Sequence, residues 1–436
     1  MSTTPAPPRA SLLLLAYLAF VSLGLPDGLL GVGWPSISGD FGVPTEAVGL
    51  LLTAGTVGYL ISSVLAGFTL ARVGVGALLA GSTLLASLAL TGYAVSPALA
   101  VVVGCALLLG LGSGAIDSGL NAYAAGAFGP RHMNWMHAFF GLGVAIGPLI
   151  MTATLSAGLA WRWGYGIVAA AQLALAAAFA LTVRAWRRVP APTEPGAAVA
   201  PPAPRLPIRA TLRLPVVWSG ALAFAVYVAI EVSAGLWAFL LLTVGRGLSP
   251  AVAGGCVSAY WGSLFVGRVV QGVVAERLGA RLVLRASLAG MAVGAALIAV
   301  PGSAVPAVLG LVVVGFAAAP VFPLLTLTTA ERVGPAHADR AIGLQIGAAG
   351  VGAALVPAGL GVLIGAMSVQ VLGPALVVLA LGLIVLYEVG ARRPGPQRPV
   401  STVAGPDQPT APAPAGAAGE AGQPLSGPVL PVVDGR

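Results

Sequence analysis

The 436-residue chain contains no lysine, only three histidines and two cysteines, and only 8% of its residues are charged. A soluble domain carries roughly 25% charged residues, so this scarcity excludes an ordinary soluble enzyme. Cys105 and Cys256 both lie within apolar runs and lack the spacing of a metal site, so neither a disulfide framework nor a metal centre is expected. There is no His-Glu-x-x-His, no paired aspartate motif on a Gly-rich helix pair and no serine dyad. An intramembrane enzyme is therefore not expected. What the chain has is apolar surface, at 58% of its residues.

A membrane-crossing helix needs about 20 mostly apolar residues, because lipid offers no partner to backbone N–H and C=O groups. Twelve such stretches are predicted, near 11–34, 46–70, 75–95, 98–126, 133–157, 163–185, 214–243, 250–274, 282–300, 305–330, 341–366 and 370–390. Those flanking 71–75 and 301–305 are joined so tightly that they could fuse. All 21 basic residues are arginines against 13 acids, giving a net charge of +8. On these spans 18 of the arginines fall on one side, and only Arg162 and Arg246 fall on the other. Short cytoplasmic loops hold such an excess, so both termini are predicted to be cytoplasmic in a multi-pass inner-membrane protein. The charge reads as a topology signal, and no nucleic-acid partner is expected. The first stretch follows a single basic residue and lacks a small-residue cleavage site, so it is read as a span and not as a signal peptide.

Between the sixth and seventh spans the sequence turns to RRVPAPTEPGAAVAPPAPRLPIRATLRLP, a linker composition. The expected organisation is a cytoplasmic N-terminus at 1–10, a six-helix bundle at 11–185, a linker at 186–213, a second six-helix bundle at 214–390 and a disordered tail at 391–436. Internal symmetry supports the division. GFTLARVGVG (67–76) is matched by GVVAERLGAR (272–281), so that Gly67, Arg72 and Gly74 recur as Gly272, Arg277 and Gly279 at an offset of 205. GLGVAIGP (141–148) is matched by GVGAALVP (350–357) at an offset of 209. Two parallel six-helix repeats are an arrangement of secondary transporters, with the solute near the midplane between them.

The loop after the second span of each half resembles the signature of the major facilitator superfamily. The second copy is good, with Glu276 in the acid position and Arg281 in a basic one. In the first copy Ala71 replaces the acid, and Val75 and Gly76 replace the basic pair. The resemblance covers about residues 11–390 and implies an all-α membrane protein of twelve helices in two pseudo-symmetric bundles. It also implies a loop that latches the cytoplasmic helix ends, weakened in the first copy by Ala71, and a protein that works as a monomer.

Ionisable groups at membrane depth are costly and normally face a protein interior or a wet cavity. Asp27 lies in GLPDGLLGVGWP, where Pro26 removes a backbone donor and Gly24, Gly28 and Gly31 permit close helix contact. Asp117 and Asn121 are four apart and share one helix face, as do Tyr227 and Glu231. His137 opens the fifth span and could hydrogen-bond a solute hydroxyl or relay a proton. Each of these has a bland alternative as a fixed interhelical bond; for Glu231 it is pairing with Arg268.

The stretch from the fourth span into the fifth, with Asp117, Asn121, Gly129-Pro130 and Met133-Asn134-x-x-His137-x-Phe139, resembles the fucose permease branch, which includes sodium-dependent glucose transporters. That resemblance implies proton handling by Asp27 and Asp117, and sugar contact near Asn121 and His137. The fifth span also carries Gly143-x-x-x-Gly147-Pro148, part of the signature of drug antiporters, with Met136 and Met151 in place of its flanking glycines. Sugar hydroxyls need polar partners and sugar rings stack on aromatics, so Trp237, Tyr260, Trp261, Gln271 and Gln345 are further candidates; Trp34 and Trp161 read as interfacial anchors. The expectation is proton symport of a sugar or polyol by alternating access, with Asp27, Asp117 and Glu231 in coupling, Na+ as the other possible ion, and no cofactor or metal. Export of amphipathic compounds, and a non-transporting receptor or scaffold, are the alternatives.

Overall fold

The computed structural model describes residues 10–128, 130–186 and 208–392, and over these it is helical, with turns between. The N-terminal half holds α1 (Ala10–Phe41), α2 (Val48–Val95), α3 (Leu99–Ala127), α4 (Pro130–Ser156) and α5 (Trp161–Thr182). A short α6 (Ile208–Leu212) precedes the C-terminal half, which holds α7 (Pro215–Leu240), α8 (Pro250–Leu278), α9 (Ala280–Ala299), α10 (Ala304–Ala318), α11 (Val321–Leu327), α12 (Thr329–Val333), α13 (Pro335–Ala366) and α14 (Leu372–Arg392). Residues 1–9, most of the expected linker and nearly all of the expected tail lie outside the described residues.

The predicted spans fall mainly on helix, although the one expected at 305–330 is broken into α10, α11 and α12. Among the described residues ten helical stretches are long and apolar enough to cross a membrane, one of them Thr45–Val95. A straight helix of the 48 residues of α2 would be about 72 Å long, more than twice the roughly 30 Å hydrocarbon layer. The fusion is broken at Gly74, whose φ of 76° and ψ of 168° fold α2 into two limbs. Its counterpart Gly279, with φ 83°, separates α8 from α9. Left-handed φ is nearly free for glycine and costly for other residues, so the recurring glycine of the repeat is what the two sharp turns require.

The repeat recurs in the packing. A Cβ on Gly110 would strike the carbonyl oxygen of Gly55, and one on Gly315 would meet that of Tyr260, pairs that share the 205-residue offset. Gly143 likewise abuts the carbonyl of Val21, and Gly352 that of Ala225. Without side chains at these crossings the backbones approach directly, and dispersion replaces the hydrophobic drive that lipid does not provide. The Gly143-Gly147-Pro148 stretch is thus the seam between α1 and α4, where Cδ of Pro148 would lie 2.8 Å from a Cβ on Gly28.

Two expected interfacial anchors are placed otherwise. Trp34 and Trp161 are 1% and 3% exposed, and their indoles donate to the Thr45 carbonyl (2.8 Å) and to Asp40 (3.2 Å). Both lie at the end of the bundle that carries the α1–α2 connection, called here the far end, where acceptors of the protein itself hold the indole N–H. Trp135, Trp163 and Trp218 are the exposed tryptophans instead.

Candidate solute-transport site

Asp27 sits at mid-helix in α1, and Gly24, Leu25, Pro26, Gly28 and Leu29 around it are all buried, yet Asp27 itself is exposed. Leu18, nine residues earlier, is 45% exposed. At about 100° per residue that places it on the opposite side of the helix, so Leu18 marks the lipid-facing side and Asp27 points inward. Gly31, one turn on, marks that inner face: a Cβ there would lie 3.0 Å from the Gly235 carbonyl oxygen of α7. Among the described residues none donates a hydrogen bond to the Asp27 side chain. It therefore meets a solvent-accessible space inside the bundle, between the halves.

Asp117 is held from two directions. The Tyr59 hydroxyl of α2 donates to its Oδ2 at 2.7 Å, and Nδ2 of Asn121 donates to its Oδ1 at 2.9 Å. Tyr59 reaches across because α2 and α3 are in direct backbone contact: a Cβ on Gly114 would lie 2.5 Å from the Tyr59 carbonyl oxygen. The Oδ1 of Asn121 is buried without a partner among the described residues. His137, on α4, is exposed, and its ring meets the edge of Phe20 at a centroid distance of 5.2 Å. Its backbone carbonyl accepts from Nη1 of Arg268 on α8, at 3.2 Å.

In the C-terminal half Glu231 accepts a hydrogen bond from the Tyr227 hydroxyl one turn away. The Tyr260 hydroxyl donates to the Glu231 backbone carbonyl at 2.7 Å. Among the described residues no ion pair joins Glu231 to Arg268; the ion pairs present are Arg162–Asp40, Arg281–Glu331 and Arg285–Glu388. Trp261 stacks edge-on against Tyr260 at 4.8 Å and packs onto Gly235.

The remaining candidates are used in packing. Nε1 of Trp237 donates to the Pro357 carbonyl at 3.1 Å. Gln271 donates to the Phe316 carbonyl at 2.6 Å and accepts from Ser287 at 3.1 Å, tying α8 to α10 and α9. Gln345 accepts from Thr329 at 3.0 Å. All three are buried, with these polar groups already engaged, so the structure does not bring them to the carboxylates. It links in series Asp27 and Asp117 through Tyr59, Asp117 and Arg268 through His137, and Arg268 with Glu231 and Tyr227, with Asn121 on Asp117. Sequence reasoning missed Tyr59, because its partner lies 58 residues away on another helix, and the polar residues at helical spacing on its own helix, Thr56, Ser62 and Ser63, carry no charge to single it out.

Of the loop signature, Gly67, Arg72 and Gly74 are exposed at the elbow of α2, beside a cavity of about 620 Å³ lined by Ala71, Arg184 and Trp186 among others. In the second copy Arg277 is exposed and Arg281 pairs with Glu331 at 3.6 Å. The surroundings of Gly272 and the side chain of Glu276 lie outside what is described.

A helical bundle of two repeats with carboxylates facing an interior space defines a membrane carrier. The chain matches the family model of the Major Facilitator Superfamily over residues 16–357, and again over 232–428, and it belongs to that superfamily. It is 28% identical over 340 residues to an uncharacterized MFS-type transporter of Yersinia pestis, covering 77% of this chain and 84% of that one. Among solved structures it is similar to a mutant of the nucleoside transporter NupG, at TM-score 0.68 and 14% identity over 87% of this chain and 100% of that one. It is also similar to a peptide transporter, POT, in complex with sulfate, at TM-score 0.68 and 15% identity over 90% and 98%. A third is a bacterial homolog of the human lysosomal transporter Spinster, in an inward-facing and occupied conformation, at TM-score 0.68 and 14% identity over 89% and 98%. At these identities the structures establish the shared fold, and their named solutes differ from one another. The protein is a multi-pass MFS-type membrane transporter, of a superfamily whose members generally carry solutes without altering them.

Proposed function

We propose that the protein takes up a small neutral polyhydroxyl solute, of the sugar or polyol class, by proton symport. It does so as a monomer in the cytoplasmic membrane with both termini inside the cell. The observation that carries this reading is Asp27: an exposed carboxylate without a donor among the described residues, on the inner face of an otherwise buried helix stretch. A carboxylate facing one aqueous side at a time can accept a proton there and release it on the other. A sealed scaffold would instead have its intramembrane acids fully paired. Asp117 and Glu231 already hold protein donors and are read as solute-orienting anchors beside the coupling group. The resemblance of the Asp117–His137 stretch to the fucose permease branch supports the solute class, and the Asn121 amide and His137 ring supply hydrogen-bonding groups for hydroxyls.

The test is uptake into proteoliposomes of a panel of radiolabelled neutral hexoses, deoxyhexoses and hexitols, under an imposed proton gradient and then under a sodium gradient. Accumulation of a panel member driven by protons, lost in Asp27→Asn while counterflow persists, is the expected result. Undiminished accumulation in Asp27→Asn overturns the coupling assignment. Accumulation driven by sodium alone replaces the ion, and the absence of any flux overturns the solute class.

A further inference from the structure

The Asp117 carboxylate has both oxygens occupied, Oδ2 by the Tyr59 hydroxyl at 2.7 Å and Oδ1 by Nδ2 of Asn121 at 2.9 Å. The order of these bonds fixes an orientation. A carboxylate accepts only, so Asn121 must present its NH2 group to Asp117, and its carbonyl oxygen must point elsewhere. That oxygen is buried and has no partner among the described residues. Buried acceptors are nearly always satisfied, and one that is not calls for an explanation. Asn121 cannot relieve it by turning its amide, because a carbonyl facing Asp117 would set two acceptors against each other.

We propose that Tyr59 is a positioning residue of the transport site. Acting through Asp117, it turns Asn121 so that the bare Oδ1 accepts a hydrogen bond from the solute, and the site consequently demands a donor, a hydroxyl or N–H, at that point. Tyr59 is suited to this role. It comes from α2, whereas Asp117 and Asn121 both belong to α3, so the frame is braced across a helix crossing too tight for either helix to slide: a Cβ on Gly114 would lie 2.5 Å from the Tyr59 carbonyl oxygen, and Gly110 abuts Gly55. Removing the hydroxyl frees Asp117 to rotate and with it the amide. Selectivity then falls, because a site built to hydrogen-bond a donor rejects a ligand lacking it only while its own acceptor is held in place.

The inference rests on the proposed transport of a hydroxylated solute, and its test separates the two. Wild type, Tyr59→Phe, Asn121→Leu and Asp117→Asn are purified, and variants that are not monodisperse are set aside. Infrared difference spectra on pH titration read the link without any solute. The carboxyl band that disappears in Asp117→Asn should shift in Tyr59→Phe, and an unchanged band overturns the proposal. Competition by the monodeoxy analogues of whichever hexose wild type transports then reads selectivity. Wild type should reject one analogue by roughly tenfold or more, and Tyr59→Phe and Asn121→Leu should erase that preference while the ranking of the others stands. Selectivity that is unchanged in Tyr59→Phe, or affinity lost uniformly across analogues, overturns it. If wild type moves no hexose, the solute class fails and the infrared result alone decides the Tyr59 link.

Discussion

In the N-terminal half the carboxylate of the first helix, Asp27, is exposed and has no donor among the described residues. In the C-terminal half the carboxylate at the corresponding place on α7, Glu231, is held by Tyr227, with Tyr260 bracing its backbone. The halves have the same glycine crossings and the same glycine turns, so the backbone alone does not distinguish them. What differs is whether a tyrosine stands one helical turn away on the same face. Symmetric scaffolds can thus assign different duties to equivalent acids, one left free to exchange with water and one fixed.

The far end shows a second asymmetry. Arg162, on α5, pairs with Asp40 at the end of α1 and donates to the Ser96 carbonyl at 3.0 Å. Arg246, just beyond α7, bonds Gln370 and the carbonyls of Ile298 (3.1 Å) and Val300 (2.8 Å). Each arginine closes the corner where three helices of its half meet, but the first clamp is ionic and the second is built on neutral acceptors. These are the two arginines that the positive-inside pattern left on the opposite side. Their purpose there is structural, since helix ends carry carbonyls that have no partner within the helix.

The comparison can be broken most severely at the shared crossings. Gly143→Leu and Gly352→Leu should each abolish a monodisperse detergent peak, because the added side chain meets backbone that cannot swing aside. The cost lies at or above the roughly 1–3 kcal/mol of ordinary overpacking, and a tolerated substitution in one half alone would refute the equivalence. Next in size, Asp27→Asn should abolish gradient-driven accumulation. Glu231→Gln, whose amide oxygen can still accept from Tyr227, should reduce uptake only about fivefold; equal losses would erase the division of duties. Smaller still, Arg246→Ala should lower the thermal midpoint more than Arg162→Ala, because it strands more acceptors. High salt should weaken the wild-type Arg162–Asp40 contact, an exposed pair worth about 1 kcal/mol or less, and leave the Arg246 clamp in place. A thermal scan of the two variants at low and high salt checks both statements.

Much of the fold was legible because bilayer physics acts on composition. Runs of about 20 apolar residues have no other stable use, and the tight turn expected at 71–75 became the Gly74 elbow because only glycine takes its φ readily. The site was legible only in part. Asp27, Asp117 and Glu231 stood out as charges within apolar runs, and Asn121 and Tyr227 followed from four-residue spacing on one helix. Trp237, Gln271 and Gln345 have the same chemistry as solute-binding residues, and only their partners on other helices show that they are committed to packing. The same limit misplaced Trp34 and Trp161, whose rings are buried against other helices and whose N–H groups bond protein acceptors.

The sequence by itself determined that this chain spans a membrane as two repeated halves, where its sharp turns fall and which acids lie within its apolar runs. Hydrophobic length, arginine bias and residue spacing along one helix are properties of a single strand of text. Only the tertiary structure decided that Asp27 is free, that Glu231 is held by Tyr227, and that Tyr59 fixes Asp117 and through it Asn121. Hydrogen bonds between helices depend on which faces meet and how closely, and that is set by glycine crossings whose partners lie far apart in the chain.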